Sequence, residues 1–197
     1  MLIAILILVI GSISYYTIYN KSLEKKENFL LKDTSIGKLL RDKPKTIILY
    51  SPAFKNNTRI PDRYTCTGKD VSPPLVILDL PTNTKSLVIL MVDPDAPSEI
   101  FYHWLLYNIP PNTSKLPENI PKTKITNYGY QGINSFGKIG YNGPCPPKGH
   151  GTHHYYIMVI ALDTKPDIPP GADISLLLDK IKGHVLAYGY IIGTYSR

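Results

Sequence analysis

The sequence predicts a single, mostly β domain with one late helix, preceded by an N-terminal transmembrane helix. Three observations carry this reading. Eighteen prolines and fifteen tyrosines favour strands and ordered loops over long helices. SLVILMV at 86–92 and YYIMVIAL at 155–162 are nearly continuous apolar runs of strand length, as central strands covered on both faces require. Residues 1–19, MLIAILILVIGSISYYTIY, hold no charged side chain.

At about 1.5 Å rise per residue, residues 1–19 are just long enough as a helix to cross a hydrocarbon core of roughly 30 Å. Tyr15, Tyr16 and Tyr19 stand at their end, as interfacial aromatics do. A cleaved signal peptide is the alternative, but no Lys/Arg n-region follows Met1 and no small-x-small cleavage site is evident. The expectation is a single-pass, membrane-anchored protein. Lys21, Lys25 and Lys26 pull the domain toward the cytoplasm by the positive-inside rule. The common arrangement of an N-terminal anchor on a secreted domain tips the reading slightly the other way, toward the extracytoplasmic side. Residues 20–45 read as a polar tether, with a short helix around Thr34–Leu40.

From residue 46 to 197 the chain reads as short strands between Pro/Gly/Asn turns. The expected strands are Thr46–Tyr50, Leu75–Leu80, Ser86–Val92, Tyr102–Ile109, Tyr155–Asp163 and Val185–Tyr195. One helix is expected after an Asp173 N-cap, with Ile174, Leu177, Leu178 and Ile181 at helical spacing and Gly183 as its stop.

The formal charge is +7, but residues 21–46 alone hold eight Lys/Arg against four Asp/Glu. The basicity therefore lies beside the apolar N-terminus, where a membrane surface is the natural partner. Only four arginines occur and they form no stripe, so no nucleic-acid partner is expected.

Three stretches place polar groups at the ends of apolar strands. Asp93-Pro94-Asp95-Ala96-Pro97 closes the first run with two carboxylates in a proline-stiffened turn, or simply caps nearby N–H groups. His103 opens the strand HWLLYN, where alternation puts His103, Leu105 and Tyr107 on one face and Trp104 and Leu106 on the other. GYNGPCPPKGHGTHHY at 140–155 holds three of the five histidines, and neighbouring His153 and His154 must point to opposite faces. Together these offer imidazoles, a carboxylate to orient one of them, and backbone donors, chemistry suited to a phosphate-type anion. Asp93, His103, His150 and His153 are also acceptable zinc ligands, though at no specific metal spacing. No Gly-x-Ser-x-Gly elbow is present, and prolines flank Cys145, so a hydrolase is less favoured and no cofactor is expected.

DPDAP at 93–97, the histidine at 103 and GPCPPKGHGTHHY at 143–155 resemble the signature of the phosphatidylethanolamine-binding protein family. FKNNTRIPDRYTCTGKDVSPPL at 54–75, NSFGKIGYNGPCPP at 134–147 and KGHVLAYGYIIGTYSR at 182–197 are similar to its bacterial and archaeal, YbhB/YbcL-like branch. The resemblance implies a large antiparallel sheet with smaller sheets and peripheral helices. It implies a pocket of Asp93, His103, Pro146, Pro147, His153 and Tyr155, supported by Asp95. It also implies a binding or regulatory module, not an enzyme, for phosphate or phosphoethanolamine-like headgroups. The alternative is a protein-interaction module, such as a protease or kinase inhibitor. Two departures stand out: His154 replaces an Arg common after the second pocket histidine, and Ile77 replaces an aromatic. Cys66 and Cys145 lie in family blocks, either bridged or as two buried thiols.

Overall fold

Ten strands and two α-helices are present among the described residues, which in this computed structural model are Lys21, 34–97 and 100–197. The chain divides into two compact units, Met1–Arg41 and Asp42–Arg197. In the first, helix α1 (Ser35–Leu40) is capped by Thr34, whose Oγ1 accepts a 2.9 Å hydrogen bond from Gly37 N.

In the second unit, β2 (Thr58–Arg59), β4 (Ser86–Asp93), β5 (Phe101–Ile109), β7 (Ile125–Thr126), β8 (Gly129–Gln131), β9 (His153–Leu162) and β10 (Val185–Tyr195) form one sheet. Its order is β2-β10-β9-β4-β5-β8-β7, antiparallel throughout except where β2 joins β10. A smaller antiparallel sheet has the order β1 (Ile48–Tyr50), β3 (Leu75–Leu78), β6 (Lys115–Leu116). The mostly β, two-sheet reading therefore stands. Helix α2 (Ile174–Ile181) starts where the sequence places it, with Asp173 accepting from Leu176 N at 2.8 Å.

Every residue of β4 and β9 is buried, as their unbroken apolar runs require. Leu87, Ile89 and Met91 of β4, Trp104 and Leu106 of β5, and Tyr155, Ile157 and Val159 of β9 share one core cluster with Leu49, Leu75, Ile77 and Leu116. The small sheet thus covers that face of the large one. Ile77, standing where an aromatic was expected, is part of this core.

The β4–β5 pairing contains a bulge that matters for the site. Met91 opposes Trp104 but Val92 opposes Tyr102, so His103 is an extra residue with no Cα partner on β4. Simple alternation put His103 opposite Trp104. The bulge corrects this, because an extra residue shifts the facing of the strand by one.

The expected transmembrane helix over 1–19, and the membrane-anchored localisation drawn from it, are corrected. No helix among the described residues is long and apolar enough to cross a membrane. The two helices have six and eight residues, roughly 9 and 12 Å at about 1.5 Å per residue, against a hydrocarbon core of about 30 Å. Residues 1–19 themselves lie outside the described residues.

Candidate functional site

A cavity of about 190 Å³ opens where β4 ends and β5 and β9 begin. Asp93, Phe101, His103, His153 and Tyr155 reach it from the strands. Ala96, Pro97, Phe136 and the segment Cys145-Pro146-Pro147 wall it from the loops. Its volume is below the roughly 300–1,000 Å³ of drug-sized sites, so it suits a small group. Asp93, His103, Pro146, Pro147, His153 and Tyr155 all line it, and Asp95 does not.

Asp93 ends a fully buried strand, and both of its oxygens are used. Oδ1 accepts from Asp95 N at 2.8 Å, an Asx turn that fixes the DPDAP corner. Oδ2 pairs with His153 Nδ1 at 2.7 Å, so the proton stays on Nδ1 and Nε2 is the ring's variable nitrogen. His153 Nε2 in turn lies 2.7 Å from His150 Nδ1, on the loop before β9.

His103 is fixed from the other side. Its Nδ1 donates to the Asn142 carbonyl at 2.8 Å, which leaves the lone pair of the neutral ring on Nε2. Burial lowers its pKa, against the opposing pull of that carbonyl and of the Asp93 charge. The Asn142 segment is itself clamped. Asp70 accepts from Asn142 Nδ2 at 2.9 Å, from Gly143 N at 2.6 Å and from Lys122 Nζ at 2.6 Å. Asn134 Nδ2 donates to Asn142 Oδ1 at 2.9 Å and to Gly140 O at 2.9 Å.

Tyr155 is fully buried, and its Oη makes no hydrogen bond of acceptable geometry among the described residues. Burial first, and then the charge of Asp93 and a hydrogen bond to its carboxylate, raise its pKa well above the usual phenol value, so it stays a donor. Tyr155 lines the cavity wall beside His153 and His103. Phe101, His103 and Phe136 form an edge-packed aromatic cluster, with centroids 4.7 Å apart for the two phenylalanines and 5.4 Å for His103 and Phe136. Phe136 is 40% exposed and stands at the cavity rim.

Asp95 points away from the cavity and accepts from both His154 N, at 2.9 Å, and His154 Nδ1, at 2.8 Å. The imidazole of His154, standing where the family commonly has an arginine, thus reaches the Asp95 carboxylate. Cys66 and Cys145 form a disulfide, not two thiols, and it fastens the Pro146-Pro147 wall to the loop after Asp62–Tyr64. A zinc site is not built: among the described residues no three His, Cys, Asp or Glu side chains converge to hold a metal ion.

Phe101, Phe136, Asn142 and Asp70 were missed by the sequence reading. Phe136 and Asn142 lie inside the recognised block NSFGKIGYNGPCPP, so the block pointed at them although no chemical motif did. Asp70 likewise lies inside the recognised block at 54–75, in a loop, and adopts φ 54°.

The sequence profile described as phosphatidylethanolamine-binding protein matches residues 50–196. A UPF0098 protein of Pyrococcus horikoshii is 51% identical over 150 residues, 75% of each chain. Another, from Aquifex aeolicus, is 47% identical over 150 residues, 76% of this chain and 88% of its own. A crystal structure of a phosphatidylethanolamine-binding protein homologue from Chlamydia trachomatis superposes with a TM-score of 0.70 at 35% identity, covering 78% of this chain and 99% of that one. The structure of Escherichia coli YbcL, described as a member of the mammalian PEBP family, gives 0.71 at 31% identity, covering 77% and 99%.

Proposed function

Because the chain belongs to the phosphatidylethanolamine-binding protein family, we propose that it is a binding module whose cavity takes a phosphate-type anion, free or as a phosphoethanolamine-like headgroup. The observation that carries this reading is the convergence on one small cavity of His103, His153 and Tyr155, whose hydroxyl is kept protonated beside Asp93. An oxyanion in the cavity is an acceptor for that donor. His153 adds a second donor when its Nε2 carries a proton, the ring being held by Asp93 through Nδ1. His103 Nε2, as a lone pair, accepts from a ligand that still carries a proton, as phosphate monoanion does.

Binding is favoured over hydrolysis by what the wall offers. Its one sulfur, in Cys145, is tied up in the disulfide, and the phenol of Tyr155 is far from ionising.

The test is a titration of the full-length protein with phosphoethanolamine and with inorganic phosphate, followed through histidine ring NMR signals. Saturable shifts at His103 and His153 are expected. No shift at either ring up to millimolar ligand overturns the reading.

A further inference from the structure

The loop before β9 carries a histidine that does not line the cavity yet controls an atom that does. His150 is exposed, and its Nδ1 lies 2.7 Å from His153 Nε2. Asp93 holds the proton on His153 Nδ1, so neutral His153 presents a lone pair at Nε2 and His150 Nδ1–H donates to it. The nitrogen of His153 left over by Asp93 is therefore occupied from within the chain. We propose that His150 is a specificity-determining latch on the cavity. Its imidazole holds the position on His153 that an anion takes: it donates while Nε2 is a lone pair and accepts once Nε2 carries a proton, and in that second state only an acceptor stronger than imidazole displaces it. This rests on the anion reading above and names what selects and regulates that same site.

The backbone around His150 suits displacement. His150 N donates to Pro147 O at 3.1 Å, closing a turn whose third residue, Gly149, has φ 76°, as a type II turn demands. Gly151, on the other side, has φ 93°, and no neighbour lies within 4 Å of where a Cβ would stand on either glycine. Both flanking residues thus have open space and a conformational range other residues lack. The turn is tied to the C-terminus by Gly149 N, which donates to Arg197 O at 3.1 Å, while the imidazole is held by His153.

The latch also counts protons. One proton between Nδ1 of His150 and Nε2 of His153 makes the bond; with both rings protonated, two N–H groups face each other and it opens. The charged and titratable groups around the pair are Asp93 on His153, Asp95 on the neighbouring His154, and His103 across the cavity. Lys148 sits in the same turn, and Arg197 takes the Gly149 N–H. A second proton on the pair therefore opens the latch.

Two measurements on full-length wild type and His150→Ala decide the matter. The first needs no ligand: the initial rate at which diethyl pyrocarbonate modifies His153, read by peptide mass. The variant is expected to react about fivefold faster, the equivalent of one net hydrogen bond; equal rates overturn the latch. The second is a titration with inorganic phosphate followed at the His153 ring. At about pH 7.5 the variant is expected to bind about fivefold more tightly. Weaker binding by the variant makes His150 a ligand, not a competitor, and also overturns the proposal. If neither protein binds phosphate, the anion reading falls, while the modification rates still judge the latch.

Discussion

Asp93 Oδ2 and His153 Nδ1 lie 2.7 Å apart with side chains only 5% and 2% exposed, so the pair is held almost out of reach of water. Removing one partner of such a bond leaves the other unsatisfied. Asp93→Asn is expected to lower unfolding free energy by about 1–3 kcal/mol in urea and to weaken phosphate binding at least about tenfold. Unaltered affinity in a folded Asp93→Asn protein would remove this pair from the binding account.

Tyr155→Phe separates stability from recognition. The hydroxyl makes no hydrogen bond of good geometry and only a weak one to Asp93, so deleting it is expected to change stability by no more than about 1 kcal/mol. Phosphate affinity is expected to drop about tenfold, measured by calorimetry. A variant that is less stable yet binds normally contradicts both halves.

His103 titrates below its ordinary value of 6.5 because it is buried. A depressed folded pKa means that the unfolded chain binds the proton more readily. Its contribution is present above about pH 6.5 and is lost as pH falls through the lowered folded value. Thermal unfolding is therefore expected to show a Tm decline below about pH 6.5 that is shallower in His103→Gln. Parallel curves for the two proteins would assign the decline to other groups.

The disulfide closes a loop with a sequence separation of 79. In the chain-entropy model it contributes roughly 4 kcal/mol, with measured cases usually about 2–4. The Cys66→Ala/Cys145→Ala protein is expected to lose stability on that scale. It is also expected to bind phosphate less well, because Cys145 lines the cavity beside Pro146 and Pro147. Equal denaturation midpoints with and without reductant would count against the estimate.

Much of this was legible in the chain. Ser86–Val92 and Tyr155–Leu162 could only be covered strands, and Asp173 and Gly183 bracket a helix by capping chemistry that acts within a few residues. The six cavity residues could be named because whole blocks resemble a family, not because spacing alone gathers them. What stayed hidden depends on contacts distant in sequence. The two-residue strand Lys115–Leu116 exists through pairing with Leu75–Val76, and Asp70 earns its place by meeting Asn142. The facing of His103 was misread because a bulge is a property of two strands, and one strand's alternation cannot show it. The segment 1–19 read as a membrane span on length and hydropathy alone, with no packing to check it.

That bulge has an evolutionary consequence. Losing a single codon at position 103 would bring Tyr102 and Trp104 into unbroken register with Val92 and Met91, healing the ladder between β5 and β4. The healed protein would fold around the same apolar neighbours and lose the imidazole that faces Tyr155 across a 5.2 Å edge contact. It would also lose the Nδ1 hydrogen bond to Asn142 O and the carbonyl that accepts from Asn142 N. The extra residue thus ties β5 to the Asn142 segment, and a shorter gene would give up that tie along with the cavity wall.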